Sequence, residues 1–408
     1  MKTLAGIAAM LILALGSIRH ADAQTYSVIY NFTGGQDGAT PKAGVTLDQA
    51  GNLYGTTATG ANLSDNCGPI EGCGTVYELK RRNSAWLFNL LYTFHFSDGA
   101  SPWSRVVFGP SGLLYGTTTF GGIENRECTD LGCGTVFSLQ PPATFCRSVL
   151  CPWNETVLYK FMMGADGAYP GYGDVVFDQN GNVYDTNAGG TAGTVFELSP
   201  SDNGWSLSVL YNFRQPPAPY YTGPAAGVIL DPAGNVYGAA QSGGPYNGGA
   251  AYELTIPTWT FTDLYDNMGG SDGGLIRDSS GNLYGTTLSA GANGGGTVYE
   301  LSPSNGGWTY TTLYSLSGGG GSYAVLTMDG SGDLYGTTIL DGAYGQGNVF
   351  KLTPSNGGWV YTSLHDFTGG SDGGAPFGQV TLDASGNLYG TASGGGANNK
   401  GVVWEITP

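Results

Sequence analysis

Catalytic chemistry has few reagents to draw on in this sequence. Its three histidines are His20, His95 and His365, and the last two fall in or beside strand-like phrases, away from any nucleophile motif. No phosphate-binding loop and no metal-spaced histidine cluster occurs. Two carboxylates stand out because each replaces a glycine of a recurring phrase. Asp174 stands where related segments have Gly44, Gly227 and Gly274, and Asp185 follows a tyrosine that elsewhere precedes glycine. Paired carboxylates are what glycoside hydrolysis needs. The Asp-Gly pairs that follow the fourth strand-like phrase of a repeat, at Asp37, Asp98, Asp166, Asp272 and Asp372, offer the hard oxygen ligands that calcium takes. An Asx turn accounts for the same five without an ion, and no cofactor is otherwise expected.

Groups suited to binding are more plentiful. Arg105 shares the register of Asp174 one segment earlier, so the two are expected to line a common channel as opposed charges. Lys42, Trp103 and Phe377 each follow a proline that enters a segment. Phe120, Tyr220, Tyr221, Tyr246 and Tyr344 are aromatics of glycine-rich loops. Flat rings stack on sugars or peptides while nearby polar groups fix orientation. These ten residues are the candidate ligand-binding set.

What must position them is a repeat. The tyrosine of an Asn-Leu-Tyr-Gly phrase recurs at Tyr54, Tyr115, Tyr184, Tyr237, Tyr284, Tyr335 and Tyr389, in steps of 47 to 69 residues. Units of that length cannot bury their own apolar faces and must stack on neighbours. Each reads as four short strands. Gly44 to Asp48 is a β-branched run, Gln49 to Asn52 a tight turn, and Leu53 to Thr57 a second strand. A phrase such as Gly296 to Leu301 is the third strand, and a tryptophan opens the fourth.

Trp86, Trp153, Trp205, Trp259, Trp308 and Trp359 each precede Tyr92, Tyr159, Tyr211, Tyr265, Tyr314 or His365 by six residues. Six is even, so strand alternation predicts both rings on one face, with the intervening leucine on the other. Two apolar faces require a sheet held between neighbours. That is the condition of a propeller blade. The chain from Gly401 to Pro408 reads as a third strand without a fourth, and Thr25 to Thr33 as a fourth strand without a blade. Joined, they close a ring and remove its open edges. The expected fold is all-β: a seven-bladed propeller of four-stranded antiparallel blades over residues 24–408, in one domain.

Residues 1–23 have the form of a secretory signal peptide: Lys2, an apolar run from Leu4 to Ile18, and Ala21-Asp22-Ala23 before the cut. The run is short of the ~20 residues a membrane span requires, so export without membrane insertion is expected, to the outside or the periplasm. No anchoring segment follows the last strand. The net charge of −17 disfavours nucleic acid and anionic membrane surfaces as partners, and a monomer is expected. Asn31, Asn62 and Asn154 match the Asn-x-Ser/Thr sequon.

The six cysteines fall where the repeat is stretched. Loops Ala58–Gly74 and Thr119–Gly134 carry Cys67 with Cys73 and Cys128 with Cys133, and a long turn carries Cys146 with Cys151. Paired cysteines within insertions of an exported chain favour three local disulfides. No histidine lies near any pair, which makes zinc the weaker reading.

Asn-Leu-Tyr-Gly-Thr-Thr, Gly-Gly, Gly-Thr-Val-Tyr-Glu-Leu and Leu-Tyr-x-Phe, taken together, resemble the GloVer tandem-repeat family of secreted bacterial proteins across residues 25–408. The layout is also similar to NHL-type propellers, and Gly-Gly followed by Tyr then Trp to kelch repeats. The family resemblance implies no activity and no catalytic residues. The sequence therefore points to a secreted, non-catalytic binding or scaffold propeller for glycan or peptide ligands. A carbohydrate-active enzyme on the same scaffold is the alternative.

Overall fold

The computed structural model describes residues 24–408, except 62–66, 68–70, 84, 124–127, 143–151, 172, 190–192, 214–220, 225, 244–247, 267 and 272. The signal-like segment, Cys146 and Cys151, Tyr220 and Tyr246, Asn62 and Asp272 thus lie outside the described residues. No helix among the described residues is long and apolar enough to cross a membrane.

The first blade shows how the others are built. Thr46–Leu47, Leu53–Thr57, Thr75–Arg82 and Ala85–Thr93 pair antiparallel in chain order. Asp48 closes the turn between the first two by accepting the amides of Ala50 and Asn52 (both 2.8 Å) and the Asn52 side chain. The Tyr54 hydroxyl donates both to Asp48 and to Glu78 on the third strand, at 3.2 and 3.1 Å. That bond gives the recurring third-strand glutamate its role, and Glu253 and Glu405 repeat it with Tyr237 and Tyr389. Blade 6 keeps the bridge with altered chemistry, Lys351 pairing with Asp333 at 2.5 Å.

Six such sheets are contiguous in sequence. The seventh takes Thr25–Asn31 as its outer strand, antiparallel to Val402–Thr407. The ring is a seven-bladed propeller, as the ends of the sequence predicted. Threonine hydroxyls join neighbouring blades near the axis: Thr46 and Thr327 donate to the carbonyls of Val106 and Val380, and Thr381 to that of Val45.

One expectation fails. The Trp and the aromatic six residues later do not share a face. In every blade the outer strand carries a β-bulge at the residue before that aromatic. In blade 3, Tyr211 pairs with Val195 and Val209 with Phe196, leaving Leu210 as the extra residue. The bulge inverts alternation beyond it. Trp205 therefore packs on Tyr115 of the preceding blade, and Tyr211 stacks on Phe261 of the next at 4.7 Å. Both faces remain apolar and each blade is still sandwiched. The same stack joins other seams, through Tyr30 with Phe88, Tyr265 with Tyr310, and Tyr314 with Tyr361. Such pairs contribute about 0.5–1.5 kcal/mol each beyond burial.

Disulfides join Cys67 to Cys73 and Cys128 to Cys133. Both pairs are buried, one against Phe94 and Phe96, the other near Val136 and Phe161.

Candidate functional site

Two registers of the first strand converge on the ring axis. Six positions before the turn aspartate, or before Gly109 in its place, stand Lys42, Trp103, Tyr323 and Phe377; four before it stand Gly44, Arg105, Asp174 and Gln379. Both rows line one cavity of about 20 Å³, little more than a single water needs.

The lower row plugs the channel. Arg105 donates from Nε to Asp174 at 2.8 Å and again from its backbone amide at 3.0 Å, and its second guanidinium arm reaches the carbonyl of Val45 at 3.4 Å. The opposed charges are thus a direct pair, each side chain 18% exposed. Gly44 and Gly378 complete the floor. A Cβ on Gly44 would lie 2.2 Å from the Gln379 carbonyl, and one on Gly378 2.2 Å from the Gly44 nitrogen, so only glycine permits this approach.

The upper row is a rim of rings around one cation. Thr40, Ser101 and Ala375 take positive φ before their prolines and turn the following residue toward the axis. Lys42 Nζ sits 3.7 Å from the Trp103 ring centroid and 5.8 Å from that of Phe377. Among the described residues no carboxylate or carbonyl hydrogen-bonds it. Burial pushes its pKa down to about 8, because a desolvated ammonium is disfavoured. From Trp103 the rings continue outward to Phe120 and Tyr169, with centroids 5.7 and 5.8 Å apart. The Tyr169 hydroxyl donates to the Cys128 carbonyl at 3.3 Å, tying the row to a disulfide loop.

The structure thus brings together Lys42, Trp103, Arg105, Asp174, Phe377 and, beside them, Phe120. Tyr344 stands apart at 62% exposure, and Tyr221 lies in a two-residue strand, Tyr221–Thr222, pairing with Ser242–Gly243. Tyr323 and Tyr169 were not anticipated. Tyr323 shares the register of Lys42, and its segment lacks the entry proline that marked the others.

Asp174 and Asp185 do not form a working carboxylate pair. Asp174 is held by Arg105, and Asp185 is 1% exposed inside blade 3. Its strand partner is Phe196, where blades 1, 4 and 5 oppose Gly55, Gly238 and Gly285 to Tyr77, Tyr252 and Tyr299. The carboxyl thus takes space that a tyrosine hydroxyl fills elsewhere. Neither oxygen has a partner, and burial drives its pKa well above the usual carboxylate range. The folded state therefore keeps a proton that the unfolded chain releases near pH 4. The stability this contributes is present at low pH and lost as pH rises toward the folded pKa. Asp185→Gly, which restores the glycine-opposite-phenylalanine pair of blades 2 and 6, is expected to stabilise the ring by about 1–3 kcal/mol at pH 7. The gain should shrink toward pH 4. Denaturant midpoints of both proteins at several pH values measure it, and a pH-independent difference would refute the assignment.

The Asp-Gly carboxylates serve their turns. Asp37 accepts from the Thr33 amide (2.8 Å) and the Tyr30 hydroxyl (3.0 Å), and Asp98, Asp166 and Asp372 repeat this with His95 and Tyr92, Met162 and Tyr159, and Thr368 and His365. Among the described residues no three His, Cys, Asp or Glu side chains cluster as metal ligands. On the opposite face, a cleft of about 820 Å³ lies between blades 3 and 4, lined by Tyr184, Glu197, Ile256 and Trp259 among others. It flanks a shortened outer hairpin, Ala250–Thr255 with Thr260–Asp266. Its aspartates, Asp178 and Asp231, are engaged by their own turn amides.

Fold and site define a closed seven-bladed propeller with a ring-lined mouth at one end of its axis. The chain belongs to the Gloeobacter/Verrucomicrobia repeat family, which matches residues 65–275 and 223–408. No curated protein matches it. Among solved structures it is similar to a candidate 6-phosphogluconolactonase from Bacteroides uniformis, at 14% identity over 79% of this chain and 83% of that one, with a TM-score of 0.49. A protein from Lactobacillus plantarum is similar at 14% identity over 78% and 84%, with a TM-score of 0.48. One of unknown function from Dyadobacter fermentans reaches 13% over 84% and 98%, with 0.47. Likeness this distant carries no argument about activity.

Proposed function

We infer that this protein is an exported, non-catalytic binding or scaffold module that takes glycan or peptide ligands on the channel-mouth face. The observation that carries this reading is the rim itself: partly exposed rings and an unpaired lysine, set above a channel shut by Arg105 and Asp174. A cavity of about 20 Å³ encloses no substrate, whereas a ledge of rings suits a ligand lying across it. The signal-like N-terminus and the two local disulfides support export.

The test is a glycan array and a peptide library probed with the wild-type protein and with Trp103→Ala/Phe120→Ala, beside a turnover screen on polysaccharides. Wild type should retain ligands of one class, the double variant should bind them about tenfold or more weakly, and no turnover should appear. Binding indifferent to both substitutions, or turnover by wild type, overturns the reading.

A further inference from the structure

Among the described residues, the lining of the channel mouth holds three charged side chains, Lys42, Arg105 and Asp174. The last two neutralise each other at 2.5 Å. Lys42 is left as the net charge of the mouth, a positive spot on a chain of net charge −17. Three other cations of the ring meet an oxygen: Arg81 lies 3.7 Å from Glu405, Lys351 2.5 Å from Asp333, and Lys160 2.6 Å from the Ser97 carbonyl. Holding a half-buried ammonium against aromatic rings alone costs solvation that ring faces only partly return. An incoming anion would repay it at this one point.

We propose that the ligand read at this mouth is a uronic-acid-containing glycan, its carboxylate paired with Lys42 Nζ and a pyranose ring laid along the row Trp103, Phe120 and Tyr169. The assignment rests on the binding role above and names the ligand class for it. The geometry favours sugar over peptide. The cavity of about 20 Å³ has little more room than one water needs, so the carboxylate meets Lys42 at the rim and the body of the ligand lies outside, across the rings. Each blade keeps a free edge for peptide-strand addition at its outer strand, on the far side of the blade from the inner-strand register that carries Lys42. At the mouth itself, a row of three rings in edge contact offers successive surfaces to successive sugar units. The lowered Lys42 pKa agrees with an ammonium lacking its counter-ion.

The experiment is titration calorimetry with short oligogalacturonates and oligomannuronates, each beside its carboxyl methyl ester, on wild type, Lys42→Met, Lys42→Arg and Trp103→Ala. Thermal melts confirm that each variant is folded. At least one free acid should bind, with its ester weaker by about tenfold or more, the worth of a charge-assisted hydrogen bond. Lys42→Met should erase that difference and Lys42→Arg largely keep it. Acid and ester binding alike, both lost in Trp103→Ala, would leave the binding role standing and remove the carboxylate. Peptides with a free C-terminus that bind through Lys42 while no uronate does would overturn the glycan. No binding by acid, ester, neutral glycan or peptide would remove both readings.

Discussion

Removing residues 25–33 is expected to lower the melting temperature by on the order of 10 °C while the other six blades retain their strands. The segment is the outer strand of blade 7, paired from Thr25 with Thr407 to Asn31 with Val402. It also forms two of the seven seams. On one side Tyr30 stacks on Phe88 at 4.7 Å and Phe32 meets Tyr77 edge-on at 5.2 Å; on the other Tyr26 stacks on His365 at 3.6 Å. The burial that these three rings of the segment provide is thus lost, at roughly 1.5–3 kcal/mol each. For a chain of this size one kcal/mol shifts the midpoint by only about 1–2 °C, which sets the figure. The newly exposed edge of Val402–Thr407 should add aggregation. Calorimetry of the truncated protein gives the shift, and a synthetic 25–33 peptide supplied in trans should restore part of it. A truncated ring that melts where the full chain does would mean that closure is not what holds it.

Arg105→Gly is expected to cost about 3–5 kcal/mol, because it leaves Asp174 as an uncompensated, largely buried charge. The same substitution cuts the guanidinium contacts to Val45 and Thr381, so blade 2 loses its hold across the axis on blades 1, 3 and 7. Asp174→Gly should be costly for the mirrored reason. The double variant, Arg105→Gly with Asp174→Gly, should be much less costly than the sum of the singles, since glycine already occupies this register at Gly44, Gly227 and Gly274. Denaturant unfolding of the four proteins closes the cycle. Additive losses would show that the two charges are not coupled and that the channel is shut by backbone contact alone.

How much of this was open to sequence follows from what each signal measures. Recurrence measures the number of units, so seven copies of a strand phrase and two complementary ends were enough for blade count and closure. Spacing within a stretched loop measures proximity, so Cys67 with Cys73 and Cys128 with Cys133 were legible too. Lys42, Trp103 and Phe377 could be placed together because one register carries them all. Tyr323 sits in that register and was passed over because its loop lacks the proline.

Tertiary structure decided the rest, and in each case the reason is physical. Alternation counts residues, and a bulge adds one without any mark in the sequence. Leu91, Leu158 and Leu210 look like ordinary strand leucines, yet each is the inserted residue that turns the next aromatic to the other face. Pairing with the third strand placed Asp185 opposite Phe196 in a sealed interior instead of in the channel with Asp174. Whether Arg105 and Asp174 merely faced one opening or gripped each other depended on the radius at which seven inner strands meet. That radius follows from the close approach of Gly44 and Gly378 and the twist of every blade. Once it was fixed, the aspartate was spent on the arginine, and Lys42 was left without a partner between its rings.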